Sequence, residues 1–242
     1  MDTVLTLTCL VAALVAMILV AARLRPGRLD RRALWLVPGL WLLNSIAVLG
    51  GAALQHHYFG GSGLAWNWTG KLLGIVTTVL CLWLLPGVDR RAAGVTLRQN
   101  PGTFWPTLAV IVVACALGAW LKYHLGGAEK TVRETWLYEL LMPSLDEELF
   151  NRGLLLFWLA RGLGDSLGMR SWKVDLSVWI ISLQFALEHA FGFVNGRAIF
   201  SLTAFLFVLY YGYLLGWARQ RTGSVLLPMI AHTLSNTLSR LW

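Results

Sequence analysis

Three carboxylates, Asp146-Glu147-Glu148, stand side by side in a stretch otherwise apolar enough to cross a bilayer. Insertion scales put an acidic residue at the centre of a membrane helix at about +3 kcal/mol, so three cost on the order of 9 kcal/mol. Groups that expensive are expected to face a polar cavity and to act there. Glu148 and Arg152 stand at i and i+4, share a helical face and can pair. Glu147 is turned about 100° away and has no such partner in its own helix, which leaves it for chemistry. Pro143, one turn earlier, frees the carbonyl of Glu139 and is expected to kink or break the helix.

Two other apolar stretches carry polar groups, Phe185-Ala186-Leu187-Glu188-His189 and His232-Thr233-Leu234-Ser235-Asn236. His232 and Asn236 are again i and i+4 and point the same way. A single histidine in such a place is usually packed and hydrogen-bonded. Two such segments beside an acidic pair on a third favour function. If the three helices converge, Glu147, His189, His232 and Asn236 surround one polar cavity. That set suits hydrolysis: a carboxylate takes a proton from water, and His and Asn donors hold the oxyanion of a tetrahedral intermediate. Zinc is the competing use of two His and a Glu, but neither H-E-x-x-H nor another standard zinc spacing occurs. No metal and no cofactor are expected.

These groups need a membrane fold to position them. The chain has 242 residues, 57% hydrophobic and only 13% charged, against about 25% charged in a soluble domain. Mean hydropathy is +0.64. The reading is an all-α polytopic membrane bundle of about eight transmembrane helices, a single domain over residues 1–242. The apolar segments are 3–22, 33–55, 71–86, 105–121, 134–161, 176–194, 198–218 and 224–242. Residues 1–133 would form four variable N-terminal helices and 134–242 the catalytic core. The first segment is long enough to span and lacks a basic leader region, so a membrane helix is expected there and not a cleaved signal. Thirteen Trp suit interfacial belts and some interior packing. Cys9, Cys81 and Cys115 fall in apolar segments and are expected to be buried thiols without disulfides.

A net charge of +8 raises nucleic acid as a partner. It is rejected, because the basic residues cluster in short loops between apolar runs, as expected beside an anionic leaflet. Arginines 23, 25, 28, 31 and 32, then 90, 91 and 98, then Arg161, Arg170 and Lys173, then Arg219 and Arg221 fall in alternate loops. The positive-inside rule puts those loops in the cytoplasm and both termini outside. The loop from Lys122 to Arg133 breaks the pattern.

Two short matches are decoys. Gly60-Gly61-Ser62-Gly63 spells a serine-protease G-x-S-G, but in a loop, and reads as a glycine-rich turn. Gly162-Leu163-Gly164-Asp165 spells the G-x-G-D of intramembrane aspartyl proteases, but without a second suitably placed membrane Asp, and reads as a helix C-terminal turn.

Glu147-Glu148-x-x-x-Arg152, Phe185-x-x-x-His189 and His232-x-x-x-Asn236 match, in order, the motifs of the CAAX prenyl protease and bacteriocin-processing (CPBP, or Abi) family. The run from Thr222 to Pro228 is also similar to that family. The resemblance covers about 134–242. It implies a glutamate-dependent, metal-independent intramembrane endopeptidase with eight helices. Carried over, Glu147 with His189 would activate the water, His232 and Asn236 would stabilise the oxyanion, and Glu148 and Arg152 would support the site. Glu188 belongs to no such motif; it would tune His189 or face another polar group. The partners implied are the lipid bilayer and a membrane-associated peptide or protein substrate, in a bacterial inner (plasma) membrane. Bacterial relatives are associated with peptide maturation or removal of C-terminal sorting tails. The runner-up is a non-catalytic scaffold, immunity or regulatory protein of the same fold, which would be expected to lose motif residues that this chain keeps. A proton-coupled transporter would show paired half-repeats, and none is found.

Overall fold

Helix follows helix along nearly the whole chain, as the long apolar runs require in a medium that offers no hydrogen bonds to the backbone. The computed structural model describes residues 1–25, 27, 29–60, 63–125, 132–167, 173–238 and 240. The fold is all-α: α1 (Asp2–Leu24), α2 (Arg31–Phe59), α3 (Trp68–Leu84), α4 (Phe104–Leu125), α5 (Arg133–Glu147), α6 (Leu156–Leu163), α7 (Leu176–Ala190), α8 (Leu202–Thr222) and α9 (Leu226–Leu238). Among the described residues, α1, α2, α4 and α8 are long and apolar enough to cross a membrane by themselves, while α3 and α7 are shorter apolar helices. Asp30, Asn67 and Ser201 cap α2, α3 and α8 through backbone N–H groups of Ala33, Gly70 and Ala204. Gly164 and Gly223, both left-handed, end α6 and α8.

The segment that carries the acidic motif is one continuous helix and is not broken at Pro143. Pro143 is accommodated inside α5. The irregularity comes later, as a π-helical stretch over Glu148–Leu155 that joins α5 to α6. A π turn widens the helix by one residue and recurs at functional sites. Here it buries Glu148, Asn151 and Arg152 together on the inner side.

A second departure lies between α7 and α8. Helix was expected to residue 194 and again from 198. Instead α7 stops at Ala190, and β1 (Phe191–Val194) pairs antiparallel with β2 (Arg197–Phe200). The cause is Asn195-Gly196, both at positive φ (52° and 74°). That is the two-residue turn whose twist matches a hairpin.

Two buried clusters form the core. One gathers Leu14 of α1, Trp41 of α2, Leu82 of α3, Leu154 and Leu155 of the π stretch, Leu159 of α6 and Val178 of α7. The other joins Ile111 and Cys115 of α4 to Leu215 of α8 and Leu227 and Ala231 of α9. Cys9 corrects the expectation of buried thiols: it is exposed on the outward side of α1, while Cys81 is partly and Cys115 fully buried. No cysteine is in a disulfide.

The two ends of the bundle differ. At one, Arg25 pairs with Asp165, Arg161 binds Asp30 (3.1 Å) and the carbonyl of Gly87 (3.0 Å), and Arg219 donates to the carbonyl of Ala92. The Ala33 N–H, and then Arg161, hold the Asp30 carboxyl below the usual carboxylate range. At the other end, Glu134 accepts from the backbone of Ala65 and Trp66 and from Trp68 Nε1, and Asp2 accepts from the Gly196 N–H. The G-x-G-D decoy is structural. Gly164 caps α6, and Asp165 binds Arg25 and the Ser177 N–H. Ser62 of the other decoy lies outside the described residues.

Candidate active site

Glu147 ends α5, and Glu148 opens the π stretch, so the two carboxylates leave the helix in different directions. Glu148 turns inward and is fully buried. Its Oε1 accepts from Arg152 Nη1 at 3.1 Å and lies 2.7 Å from His232 Nδ1. Arg152 is equally buried, donates from Nη2 to the carbonyl of Gly212 (3.3 Å), and lies 4.4 Å from the Phe185 ring centre. The pair expected at i and i+4 thus joins π stretch, α7, α8 and α9 around one cation.

Glu147 faces the other way and has a partner that sequence spacing did not reveal. Lys71, in the first turn of α3, places Nζ 2.7 Å from Glu147 Oε1 and 2.9 Å from Asp146 Oδ2. One lysine therefore offsets two of the three adjacent charges, and Arg152 offsets the third. Close approach of α3 makes this possible. Gly74 lies against Asp146 so closely that a Cβ there would run into Oδ1. On the α2 side, Asn44 donates to the carbonyl of Gly74 (3.3 Å) and to Thr78 (3.2 Å). The available signal was a charge balance: three carboxylates and one arginine demand another cation, and Lys71 sits at the edge of an apolar run.

Glu147 Oε2 makes no hydrogen bond to a described residue, and His232 Nε2 lies 3.9 Å from it. His232 is fixed from behind by Glu148, which aims its second nitrogen at Glu147. His189, in the last turn of α7, holds the carbonyl of Phe185 with Nδ1 at 2.8 Å, so a neutral ring presents Nε2 as acceptor. Phe185 packs against His189 (4.5 Å between ring centres) and His232 (6.3 Å). Asn236 is engaged elsewhere: Nδ2 donates to Glu139 Oε2 at 2.8 Å, and Arg240 holds the other oxygen of Glu139 at 2.9 Å. His232 and Asn236, although on one face of α9, thus address carboxylates more than two helical turns apart on the α5 side. Glu188 accepts from Trp41 Nε1.

A cavity of about 290 Å³ opens on Lys71, Glu147, Asn151, Glu188 and His189, with Trp41, Phe150 and Phe185 in its walls. Asn151 Oδ1 is buried without a hydrogen-bond partner among the described residues. A larger hollow of about 810 Å³ at the arginine-rich end, between Asp89 and Arg219, contains none of the motif residues. No cluster of three or more metal-ligating side chains occurs among the described residues.

Buried carboxylates on α5 and the π stretch, a histidine on α7, and a histidine and an amide on α9 are what the family comparison covers. Residues 129–238 match the family model described as type II CAAX prenyl endopeptidase Rce1-like. This segment is an Rce1-like domain of the CPBP family. No curated protein and no solved structure matches the chain. The Rce1-like segment includes Glu147, Glu148, Arg152, His189, His232 and Asn236 and leaves out α1 to α4. Lys71 therefore comes to the site from outside it. The Rce1-like segment and the apolar helices together point to an integral membrane protein.

Proposed function

We propose that this chain is an intramembrane, metal-independent glutamate-type endopeptidase. It hydrolyses a peptide bond near the C-terminus or membrane anchor of a membrane-associated or exported substrate. The observation that carries the reading is the Glu147 carboxylate, with Oε1 held by Lys71 and Oε2 turned to the cavity 3.9 Å from His232 Nε2. That gap is too long for a direct hydrogen bond and suits a bridging water.

Glu147 takes a proton from the attacking water, and the water oxygen adds to the scissile carbonyl carbon. His189 Nε2, an acceptor when Nδ1–H serves the Phe185 carbonyl, helps to orient that water. His232, backed by Glu148, donates from Nε2 to the oxyanion when its ring is doubly protonated. Asn236 is the second oxyanion donor, which requires its Glu139 bond to be exchanged for substrate. Collapse of the intermediate breaks the C–N bond, and the proton held by Glu147 goes to the leaving amine. Glu148 and Arg152 hold His232 and the π turn in place. The test compares C-terminal peptides of membrane and exported proteins from cells with the wild-type chain and with Glu147→Ala. Identical C-termini in both would overturn the reading.

The roles of His232 and Asn236 predict a kinetic pattern. His232→Ala and Asn236→Ala should each lower kcat by roughly 10² with little change in KM, in the range of a lost oxyanion donor. The double variant should lose much less than the product, because one unit is broken twice. Full multiplicative losses on a quenched peptide substrate would refute the shared role.

Metal independence follows from the same charges. A Lys71 ammonium 2.7 Å from Glu147 repels a cation at that carboxylate, and His232 Nδ1 is already committed to Glu148. Activity should persist after exhaustive treatment with a chelator. Loss on chelation with recovery on adding zinc would assign Glu147 and the histidines to a metal instead.

A further inference from the structure

The cavity beside Glu147 holds a carboxyl group that the proposed reaction does not use. Glu188 stands next to His189 on α7 and lines the same cavity. Its Oε1 accepts from Trp41 Nε1 of α2. Among the described residues no lysine, arginine or histidine forms an ion pair with it.

Its neighbours are balanced differently. Four carboxyl groups meet around the site, Asp146, Glu147, Glu148 and Glu188, with Lys71 and Arg152 as the lysine and arginine partners. Lys71 serves Asp146 and Glu147, and Arg152 serves Glu148. His232, when charged, also falls to that side, 2.7 Å from Glu148 and 3.9 Å from Glu147. Glu188 alone of the four has only a neutral indole N–H. An ionisable group among membrane helices is costly, and such groups are paired or mark the path of a ligand.

A second observation points to the same kind of ligand. Asn151, 3% exposed, lines the cavity from the π stretch, and its Oδ1 has no partner among the described residues. The other unmet buried side-chain atoms of the lining residues are Asp146 Oδ1 and Glu147 Oε2. All three are acceptors. An occupant that satisfies such a wall brings donors. An ammonium carries three N–H groups and a guanidinium five, and neither has an acceptor. A cleft with an excess of one charge also draws ligands of the other sign. Leu7, Leu10, Val48 and Phe150 supply apolar wall for the aliphatic stem of a basic side chain.

Resting on the peptidase reading above, we infer that Glu188 is a specificity-determining residue that receives a lysine or arginine side chain of the substrate. Trp41 fixes Oε1 and leaves Oε2 for the cation. Because Glu147 and Glu188 share one cavity of about 290 Å³, the basic residue flanks the scissile bond.

The test gives purified wild type a random-sequence peptide library in detergent, with Glu147→Gln as the blank, and reads the new termini by mass spectrometry. Lys and Arg should be enriched beside the cuts. A cut peptide is then compared with its twin carrying Met in place of the basic residue. The ratio of their kcat/KM values should fall by roughly 10–10² in Glu188→Gln, the range of one hydrogen bond to a charged group. Glutamine keeps an oxygen for Trp41. Wild-type cuts without a basic residue beside them, or a ratio unchanged in Glu188→Gln, overturn the inference and leave the peptidase reading standing. If Glu188→Gln does not fold, the wild-type cut sites decide alone.

Binding is read apart from turnover. A Leu-Ala peptide with one central Lys should raise the unfolding temperature of Glu147→Gln more than its Met twin does, and adding Glu188→Gln should erase the difference. If wild type makes no cuts above the blank while this difference holds, the peptidase reading falls and the cation site stands. No cuts and no difference overturn both.

Discussion

Glu147→Gln should lower turnover by roughly 10²–10⁴, the usual contribution of a positioned base, or about 3–5 kcal/mol in the barrier. Glutamine fills the same space against Lys71 and has no basic oxygen to offer the cavity. The complication is that Glu147 also neutralises Lys71, so lost activity could reflect lost folding. Asp146 resolves this. It binds the same ammonium through Oδ2 at 2.9 Å, while Glu147 binds it at 2.7 Å. Asp146→Asn removes a comparable share of the charge pairing and leaves the proposed base untouched. The two variants should therefore lose similar thermal stability in detergent, while only Glu147→Gln loses most of its turnover. Near wild-type turnover in folded Glu147→Gln would sink the mechanism. Equal losses of turnover in both would mean that the charge on Lys71, and not the base, had been measured.

What could be read from sequence is divided by the range of the interaction. The all-α membrane fold rests on apolar runs with few charges, and each run reports on itself. The Glu148–Arg152 pair is likewise local, because one turn of one helix brings the residues together. Lys71 was not legible as a site residue: it reaches Asp146 and Glu147 across 75 and 76 positions of chain, through glycine contacts that hydrophobic periodicity does not encode. The partner that holds Asn236 was not legible for the same reason. Its i, i+4 relation to His232 is correct in sequence, but its amide is held by Glu139 on another helix. The π turn is invisible to a 3.6-residue pattern because it adds one residue locally without disturbing the apolar faces on either side. The hairpin could have been read. Asn195-Gly196 is a strong turn signal, but Phe191, Phe193, Ile199 and Phe200 made the flanks look like helix ends in an apolar chain.

Arg152→Ala should be the most damaging single change for folding, at roughly 3–5 kcal/mol, the cost of leaving one partner of a buried pair uncompensated. Burial sets the size of the effect. The side chains of Arg152 and Glu148 are 1% and 0% exposed, so water cannot take over when the partner leaves. Three elements then lose a common anchor: the Glu148 carboxylate at 3.1 Å, the carbonyl of Gly212 on α8 at 3.3 Å, and the Phe185 ring on α7 at 4.4 Å. His232 also depends on the pair, since Glu148 Oε1 serves both His232 Nδ1 and Arg152 Nη1. Activity should fall even in the fraction that folds, because the histidine aimed at Glu147 is no longer fixed. Lysine should rescue poorly, because one ammonium does not present two donors in a plane to Glu148 and Gly212 together. The double variant Glu148→Gln with Arg152→Met removes both charges and should recover a measurable part of the stability without restoring turnover. Thermal unfolding in detergent, measured on wild type, Arg152→Ala, Arg152→Lys and the double variant, reads these differences. An Arg152→Ala protein as stable as wild type would mean that the charges in the π turn are compensated from elsewhere, and that the pair does not hold His232 in place.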